Sequence, residues 1–107
     1  MIEGLHVTPA IEIRNERIVE FCTRHRIRQL ALFGSVLRSD FGPESDVDVL
    51  VEFEPGGTVG FFGLARLERE LATILGGRRV DLRTPQDLSR YFRDSVVDNA
   101  FVIHGPG

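Results

Sequence analysis

One eight-residue segment, Asp46–Phe53, constrains the fold more than any other part of the sequence. Apolar side chains occupy its odd positions, while Asp46 and Asp48 occupy even ones. Because side chains alternate along a strand, this pattern predicts a β-strand with one apolar face and two carboxylates on the other. The carboxylates are then about 7 Å apart at Cα, close enough to share one or two metal ions. Mg²⁺ suits such a pair, because it takes hard oxygen ligands and is completed by substrate phosphates.

A second apolar segment, Gln29–Phe33, predicts a buried strand that stops at Gly34 and Ser35. Glycine lets the backbone approach a ligand closely, and the backbone N–H groups and the Ser35 hydroxyl would face phosphate oxygens. Arg38, in the short helix expected to follow, adds a cation suited to bidentate binding of the leaving pyrophosphate. The segment therefore predicts a binding site for the triphosphate of a nucleotide.

Asp81 interrupts a third short apolar segment, in which Val80 and Leu82 face one way and Asp81 the other. If this strand pairs beside the first one, Asp81 joins the polar face of Asp46 and Asp48. We expect Asp81 to act as a further metal ligand or as a base toward an acceptor hydroxyl.

The run Leu32–Arg38, followed by Ser45–Val51, resembles the signature of the DNA polymerase β-like nucleotidyltransferases, specifically their minimal, single-domain branch. Asp81 matches the third acidic position of that family. The tail Tyr91–His104 is similar to the last helix and closing strand of the family. The chain departs from the family pattern at Ser39-Asp40, where glycine is usual.

The resemblance implies a Mg²⁺-dependent enzyme that uses ATP. Minimal nucleotidyltransferases commonly serve as the antitoxin of a two-gene pair, beside a helical HEPN-type ribonuclease toxin, and some transfer AMP onto a tyrosine of that toxin. We therefore expect a protein adenylyltransferase with a HEPN-type toxin as its partner. One alternative, for which the Ser39-Asp40 departure leaves room, is a non-catalytic antitoxin that masks the toxin by contact. Another is transfer to a small molecule such as an aminoglycoside, which needs an acceptor pocket that a dimer would have to supply.

Length and composition narrow the class of protein. A chain of 107 residues predicts one domain over residues 1–107, small for an enzyme that binds two substrates unaided, which favours a protein as the acceptor. A net charge of −3 argues against broad nucleic-acid binding. A single cysteine, Cys22, and the lack of an apolar run after a basic start argue against secretion and membrane insertion, so we expect a cytoplasmic protein. Homo- and hetero-oligomers both stay open.

The order of the elements predicts the fold class. Strands that alternate with helices indicate an α/β or α+β fold, with a mixed sheet and helices packed mainly on one face. The expected elements outside the two motif strands are a helix from Thr8-Pro9 to about Arg26, a helix after Thr58 with an apolar stripe from Phe61 to Leu75, one or two short helices after Thr84-Pro85, and a final strand at Phe101–Ile103.

Overall fold

The computed structural model describes residues 5–7, 12–37, 42, 45–56, 61–91 and 93–105. The strands in these residues are β1 (Leu5–Val7), β2 (Glu12–Arg14), β3 (Ile27–Phe33), β4 (Val47–Phe53), β5 (Val80–Arg83) and β6 (Phe101–His104). The helices are α1 (Asn15–Arg24), α2 (Phe61–Ile74) and α3 (Arg93–Asn99), with 3₁₀ turns at Gly34–Leu37 and Pro85–Asp87. None of these helices is long and apolar enough to cross a membrane.

Four of the strands form one mixed sheet in the order β5-β4-β3-β6. The central strand β3 pairs antiparallel with both β4 and β6, whereas β4 and β5 run parallel. A parallel pair needs a crossover connection, which α2 supplies between β4 and β5. The short strands β1 and β2 form a separate antiparallel pair. The predicted fold class, a mixed sheet with helices, is confirmed.

The main core lies on the face of the sheet that α1 and α2 cover. Alternate residues of β4, namely Val47, Val49 and Val51, are fully buried there. The helices add Ile18, Phe21 and Cys22 from α1 and Leu67 and Leu71 from α2, and Leu75 joins them just after α2 ends. Each such aliphatic side chain contributes roughly 1.5–3 kcal/mol when it leaves water. The apolar stripe expected in the second helix is therefore confirmed from Leu64 to Leu75, while the side chain of Phe61 lies outside the described residues.

The opposite face of the sheet carries a smaller apolar cluster. Ala31, Leu50 and Leu88 are buried in it. The side chains packed partly against this cluster are Phe33, Val96, Ala100 and Val102. Because the cluster covers only part of this face, polar side chains remain at the end of the sheet where β4 begins. The helices lie mainly on one face, as expected.

The expected start of the first helix is wrong. The helix begins at Asn15, and the residues just before it, Glu12–Arg14, form β2, in which Ile13 is fully buried. A residue that precedes proline is disfavoured in the helical region, so a Thr-Pro pair favours an extended backbone as much as a helix cap. Thr8 and Pro9 themselves lie outside the described residues.

Candidate active site

The parallel pairing of β4 with β5 sets two carboxylates side by side. Asp48 and Asp81 are direct partners in the strand register, and neighbouring strands are about 4.8 Å apart. Both residues alternate with core residues such as Val49 and Leu82, so both project from the face opposite the main core. Both are partly buried. The expectation for Asp81 required its strand to pair with the strand that carries the first carboxylates. This condition is met, because β5 pairs with β4.

A tight turn at the end of β3 lies directly against one of these carboxylates. Phe33, the last residue of β3, is the register partner of Asp48. Gly34 follows with a φ of +75°, a conformation that favours glycine. A Cβ at this position would overlap Asp48 Oδ2 and lie 3.3 Å from Asp48 Cγ. The turn therefore needs glycine for two reasons. Its backbone has a positive φ, and the Asp48 carboxylate leaves no room for a Cβ.

The predicted triphosphate site is described only in part. Gly34–Leu37 forms a 3₁₀ turn that contains Ser35, and the buried side chain of Val36 anchors this turn in the main core. The backbone of Ser35 is described and its side chain is not. Arg38 and Ser39-Asp40 lie outside the described residues. The structure therefore gives the backbone of the turn, and the roles of Ser35 and Arg38 stay predictions.

Asp46 precedes β4 and pairs with an arginine. Arg79 Nε lies 3.0 Å from Asp46 Oδ1, and the carbonyl of Arg79 accepts a hydrogen bond from the Val47 N–H at 2.8 Å. The Asp46 side chain is 51% exposed and that of Arg79 is 76% exposed. Water screens a pair this exposed, so it contributes little to stability and exchanges readily for other partners.

A second arginine covers Asp81. Arg83 Nε lies 3.2 Å from Asp81 Oδ1 and 3.3 Å from Oδ2, and a terminal nitrogen of Arg83 lies 3.1 Å from Oδ2. The hydrogen bond and the charge of Asp81 raise the pKa of Arg83, and the charges of Asp87 and Asp48 add to this effect. Arg83 is not among the residues predicted from the sequence. The signal for it is two opposite charges two positions apart on one strand face.

The acidic residues fit Mg²⁺ by their chemistry, although their side chains do not converge on one point. Within the described ranges, no three Asp, Glu, His or Cys side chains are grouped closely enough to hold a metal ion. Asp46 and Asp81 contact arginines instead. The register nevertheless sets Asp48 beside Asp81, and carboxylate oxygens are the donors that Mg²⁺ prefers. Rotation of the side chains would be needed to complete a site.

The loop before β4 is held by another arginine that the sequence did not single out. Arg78 donates hydrogen bonds to the carbonyl oxygens of Gly42 at 2.7 Å and Ser45 at 3.4 Å. Ser45 closes the same loop, since its N–H donates to the Gly42 carbonyl and its Oγ accepts from the Gly42 N–H. Arg78 thus fixes the backbone immediately before Asp46.

A cavity of about 270 Å³ opens beside Asp81 and Arg83, between the first half of α2 and β5. Its other lining residues are Leu64, Ala65, Glu68, Leu82 and Asp87. Glu68 Oε2 accepts a hydrogen bond of 2.7 Å from the Leu82 N–H, which ties α2 to the outer strand of the sheet. A larger concavity of about 530 Å³ lies at the far end of β4 and contains none of the predicted site residues. Of these two cavities, the one beside Asp81 contains a predicted site residue.

Comparison with known proteins agrees with this arrangement. Residues 15–103 match the family described as "Nucleotidyltransferase domain". The chain belongs to this nucleotidyltransferase family. The expected enzyme class is therefore confirmed, and Asp46, Asp48 and Asp81 all lie inside the matched region.

Two relatives illustrate the branch of the family to which this nucleotidyltransferase is similar. MJ0435 of Methanocaldococcus jannaschii, named as a candidate protein adenylyltransferase, is 31% identical over 84 residues, which cover 78% of this chain and 87% of MJ0435. The protein adenylyltransferase MntA of Thermococcus cleftensis is 35% identical over 78 residues, which cover 73% of this chain and 76% of MntA.

Solved structures share the fold of this nucleotidyltransferase. A structure described as a candidate minimal nucleotidyltransferase is 35% identical, with a TM-score of 0.66 over 82% of this chain and 87% of the other. A toxin–antitoxin structure with AMP-PNP is 21% identical, with a TM-score of 0.69 over 88% and 75% of the two chains. A complex of the tri-AMPylated HEPN toxin of Shewanella oneidensis with its MNT antitoxin is 21% identical, with a TM-score of 0.61 over 86% and 70%.

Proposed function

We propose that this nucleotidyltransferase transfers AMP from ATP to a tyrosine hydroxyl of a HEPN-type toxin and thereby acts as its antitoxin. The observation that carries the proposal is the register pair of Asp48 and Asp81 directly beside the Gly34 turn. The names of the relatives, protein adenylyltransferases, support AMP as the transferred group and a protein as the acceptor. The similar toxin–antitoxin structures, one with AMP-PNP and one with an AMPylated toxin, support ATP and the toxin as the two substrates.

Each acidic residue has a role in this reaction. Asp46 and Asp48 would hold Mg²⁺, and Asp81 would serve as a further ligand or as the base. When bound, Mg²⁺ would neutralise charge on the phosphates of ATP. The backbone N–H groups of the turn at Gly34 and Ser35 would hold phosphate oxygens, since such a turn attracts anions.

The transfer itself exchanges one bond for another at the α-phosphorus. The acceptor oxygen forms a bond to the α-phosphorus while the bond from that atom to pyrophosphate breaks, with the two oxygens in line. In its role as the base, Asp81 would take the hydroxyl proton of the acceptor on a carboxylate oxygen. Pyrophosphate leaves with the electron pair of the broken bond, and Arg38 would bind it.

A non-catalytic antitoxin is the second candidate, and one feature of the site favours it. Asp46 and Asp81 both contact arginines, so the acidic residues as they stand do not form a metal-binding group. A protein of this kind would mask the toxin by contact alone. It would protect RNA from the toxin equally well with and without ATP.

The test is to incubate the chain with Mg²⁺, the HEPN-type toxin and ATP radiolabelled on the α-phosphate. We expect label on the toxin, a loss of at least about 100-fold with Asp48→Asn, and loss of label with a toxin that lacks its acceptor tyrosine. Asp98→Asn, an exposed carboxylate on α3, is the matched control and should transfer AMP normally. Protection of RNA with no label on the toxin would establish masking by contact instead.

A further inference from the structure

Arg83 forms an ion pair with Asp81, the carboxylate that the proposed reaction needs. It lies two residues after Asp81 on the same face of β5, and its guanidinium contacts both oxygens of Asp81 at 3.1–3.3 Å. A carboxylate that accepts from arginine through both oxygens has fewer lone pairs left for a cation or a proton, so the arginine competes with both. The pair is half-exposed, with side-chain exposures of 48% for Arg83 and 37% for Asp81, so it is weak enough to be displaced.

A second anion for Arg83 lies in the same cavity. Asp87 lines this cavity together with Asp81 and Arg83, and its charge also raises the pKa of Arg83. The Asp87 carboxylate is fixed in place, because its Oδ2 accepts hydrogen bonds of 3.1 Å from both the N–H and the hydroxyl of Thr84. Arg83 therefore lies near two anions that the reaction requires, Asp81 and Asp48, and near one that it does not, Asp87.

We propose that Arg83 is a positioning residue that covers Asp81 in the resting enzyme and turns toward Asp87 when a divalent cation and nucleotide occupy the site. The inference rests on the proposed function, in that it takes Asp81 to be a metal ligand. It has a direct consequence for affinity. A cation that takes Asp81 as a ligand competes with the guanidinium for the oxygens of Asp81, so Arg83 weakens cation binding, while Asp87 offers the displaced guanidinium another anion.

The experiment measures Mn²⁺ binding to the full chain in the presence of a non-hydrolysable ATP analogue, from the electron paramagnetic resonance signal of free Mn²⁺. We expect Arg83→Gln to bind Mn²⁺ about three- to tenfold more tightly than the wild type, because the variant lacks the ion pair that competes with Mn²⁺ for Asp81. We expect Asp87→Asn to bind about two- to threefold more weakly, since Arg83 then loses its second partner. Asparagine still accepts hydrogen bonds at a turn, which preserves the contact with Thr84.

The double variant separates this proposal from a general effect of charge. If Asp87 acts through Arg83, Arg83→Gln with Asp87→Asn binds Mn²⁺ like Arg83→Gln alone. Arg17→Gln removes an equal charge from α1, on the far side of the sheet, and should change nothing. Equal or weaker binding by Arg83→Gln, or an undiminished effect of Asp87→Asn in the double variant, would overturn the proposal. The affinity pattern can hold even if no toxin is labelled, in which case the proposed acceptor fails and the role of Arg83 stands.

Discussion

The two faces of the four-stranded sheet are built from the same strands and differ most at the end where β4 begins, although each face buries an apolar cluster. On the core face, Val49 and Leu82 are buried among apolar side chains from α1 and α2. One residue away on each strand, Asp48 and Asp81 project from the other face, beside a glycine turn and an arginine. Because side chains alternate along a strand, a residue that stabilises the core and a residue of the candidate site can be neighbours in the sequence and lie on opposite faces. Substitutions on one face should leave the property of the other face intact.

The largest effect is expected on the site face. Asp81→Asn should lower the rate of AMP transfer about 1,000-fold, because asparagine can neither take the acceptor proton nor supply a carboxylate to the metal. Its free energy of unfolding should change by less than about 1 kcal/mol, since the pair with Arg83 is half-exposed. The measurements are initial rates with saturating ATP and a urea titration. A variant that transfers AMP normally, or one that fails to fold, would show that the two properties are not separated.

The opposite outcome is expected on the core face. Leu71→Ala removes a fully buried side chain of α2 and should lower the free energy of unfolding by about 3 kcal/mol. The fraction that stays folded should transfer AMP at the normal rate. Val97→Ala, an exposed apolar residue of α3, is the control and should cost less than about 0.5 kcal/mol. Equal losses in both variants would contradict the position of the core.

The turn at Gly34 joins the two faces, and Gly56 offers a matched comparison. Both glycines have positive φ, but a Cβ would overlap Asp48 at Gly34 and has nothing within 4 Å at Gly56. Alanine at either position should therefore cost about 1 kcal/mol of backbone strain. Only Gly34→Ala should also slow transfer, by about 100-fold, because it displaces the carboxylate. Transfer rates and urea titrations of both variants test this, and similar rates would exclude a role for the contact.

The smallest effect concerns pH and the core. Burial raises the pKa of the Cys22 thiol from 9.0 to about 12, so the unfolded chain loses this proton at lower pH than the folded chain. The contribution to stability is complete below pH 9 and declines as the pH rises toward 12. Between about pH 8 and pH 10 the wild type should lose about 1 kcal/mol more than Cys22→Ala. Urea titrations at the two pH values measure this, and parallel losses would contradict burial of the thiol.

The sequence predicts the acidic face well because alternation is a local property. The position of Asp48 relative to the apolar residues of β4 follows from the period of the strand, whereas Asp46, expected on the same strand, lies just before it. The pairing of Asp48 with Asp81 depends on the crossover through α2, which the sequence permits without fixing the register. Local sequence rules could not predict where α1 begins, because a Thr-Pro pair is compatible with an extended segment as well as with a helix cap.

The contacts of the arginines are the part of the site that is hardest to predict from the sequence. Arg79 and Arg83 each contact a predicted metal ligand, and Arg78 holds the loop before Asp46. Exposed arginines are common and have many possible partners, so their positions in the sequence give little indication of which carboxylate they contact. Only Arg83, two residues from Asp81 on one strand, could have been assigned from spacing alone.

A crystal structure of the protein with Mn²⁺ and a non-hydrolysable ATP analogue is the most direct test, because the anomalous signal of Mn²⁺ locates the cation. We expect a peak at the carboxylates of Asp46 and Asp48 with Asp81 as a further ligand, next to the Gly34 turn, and Arg83 no longer in contact with Asp81. A bound nucleotide with Mn²⁺ elsewhere, and with the Asp81–Arg83 pair intact, would contradict the proposed site.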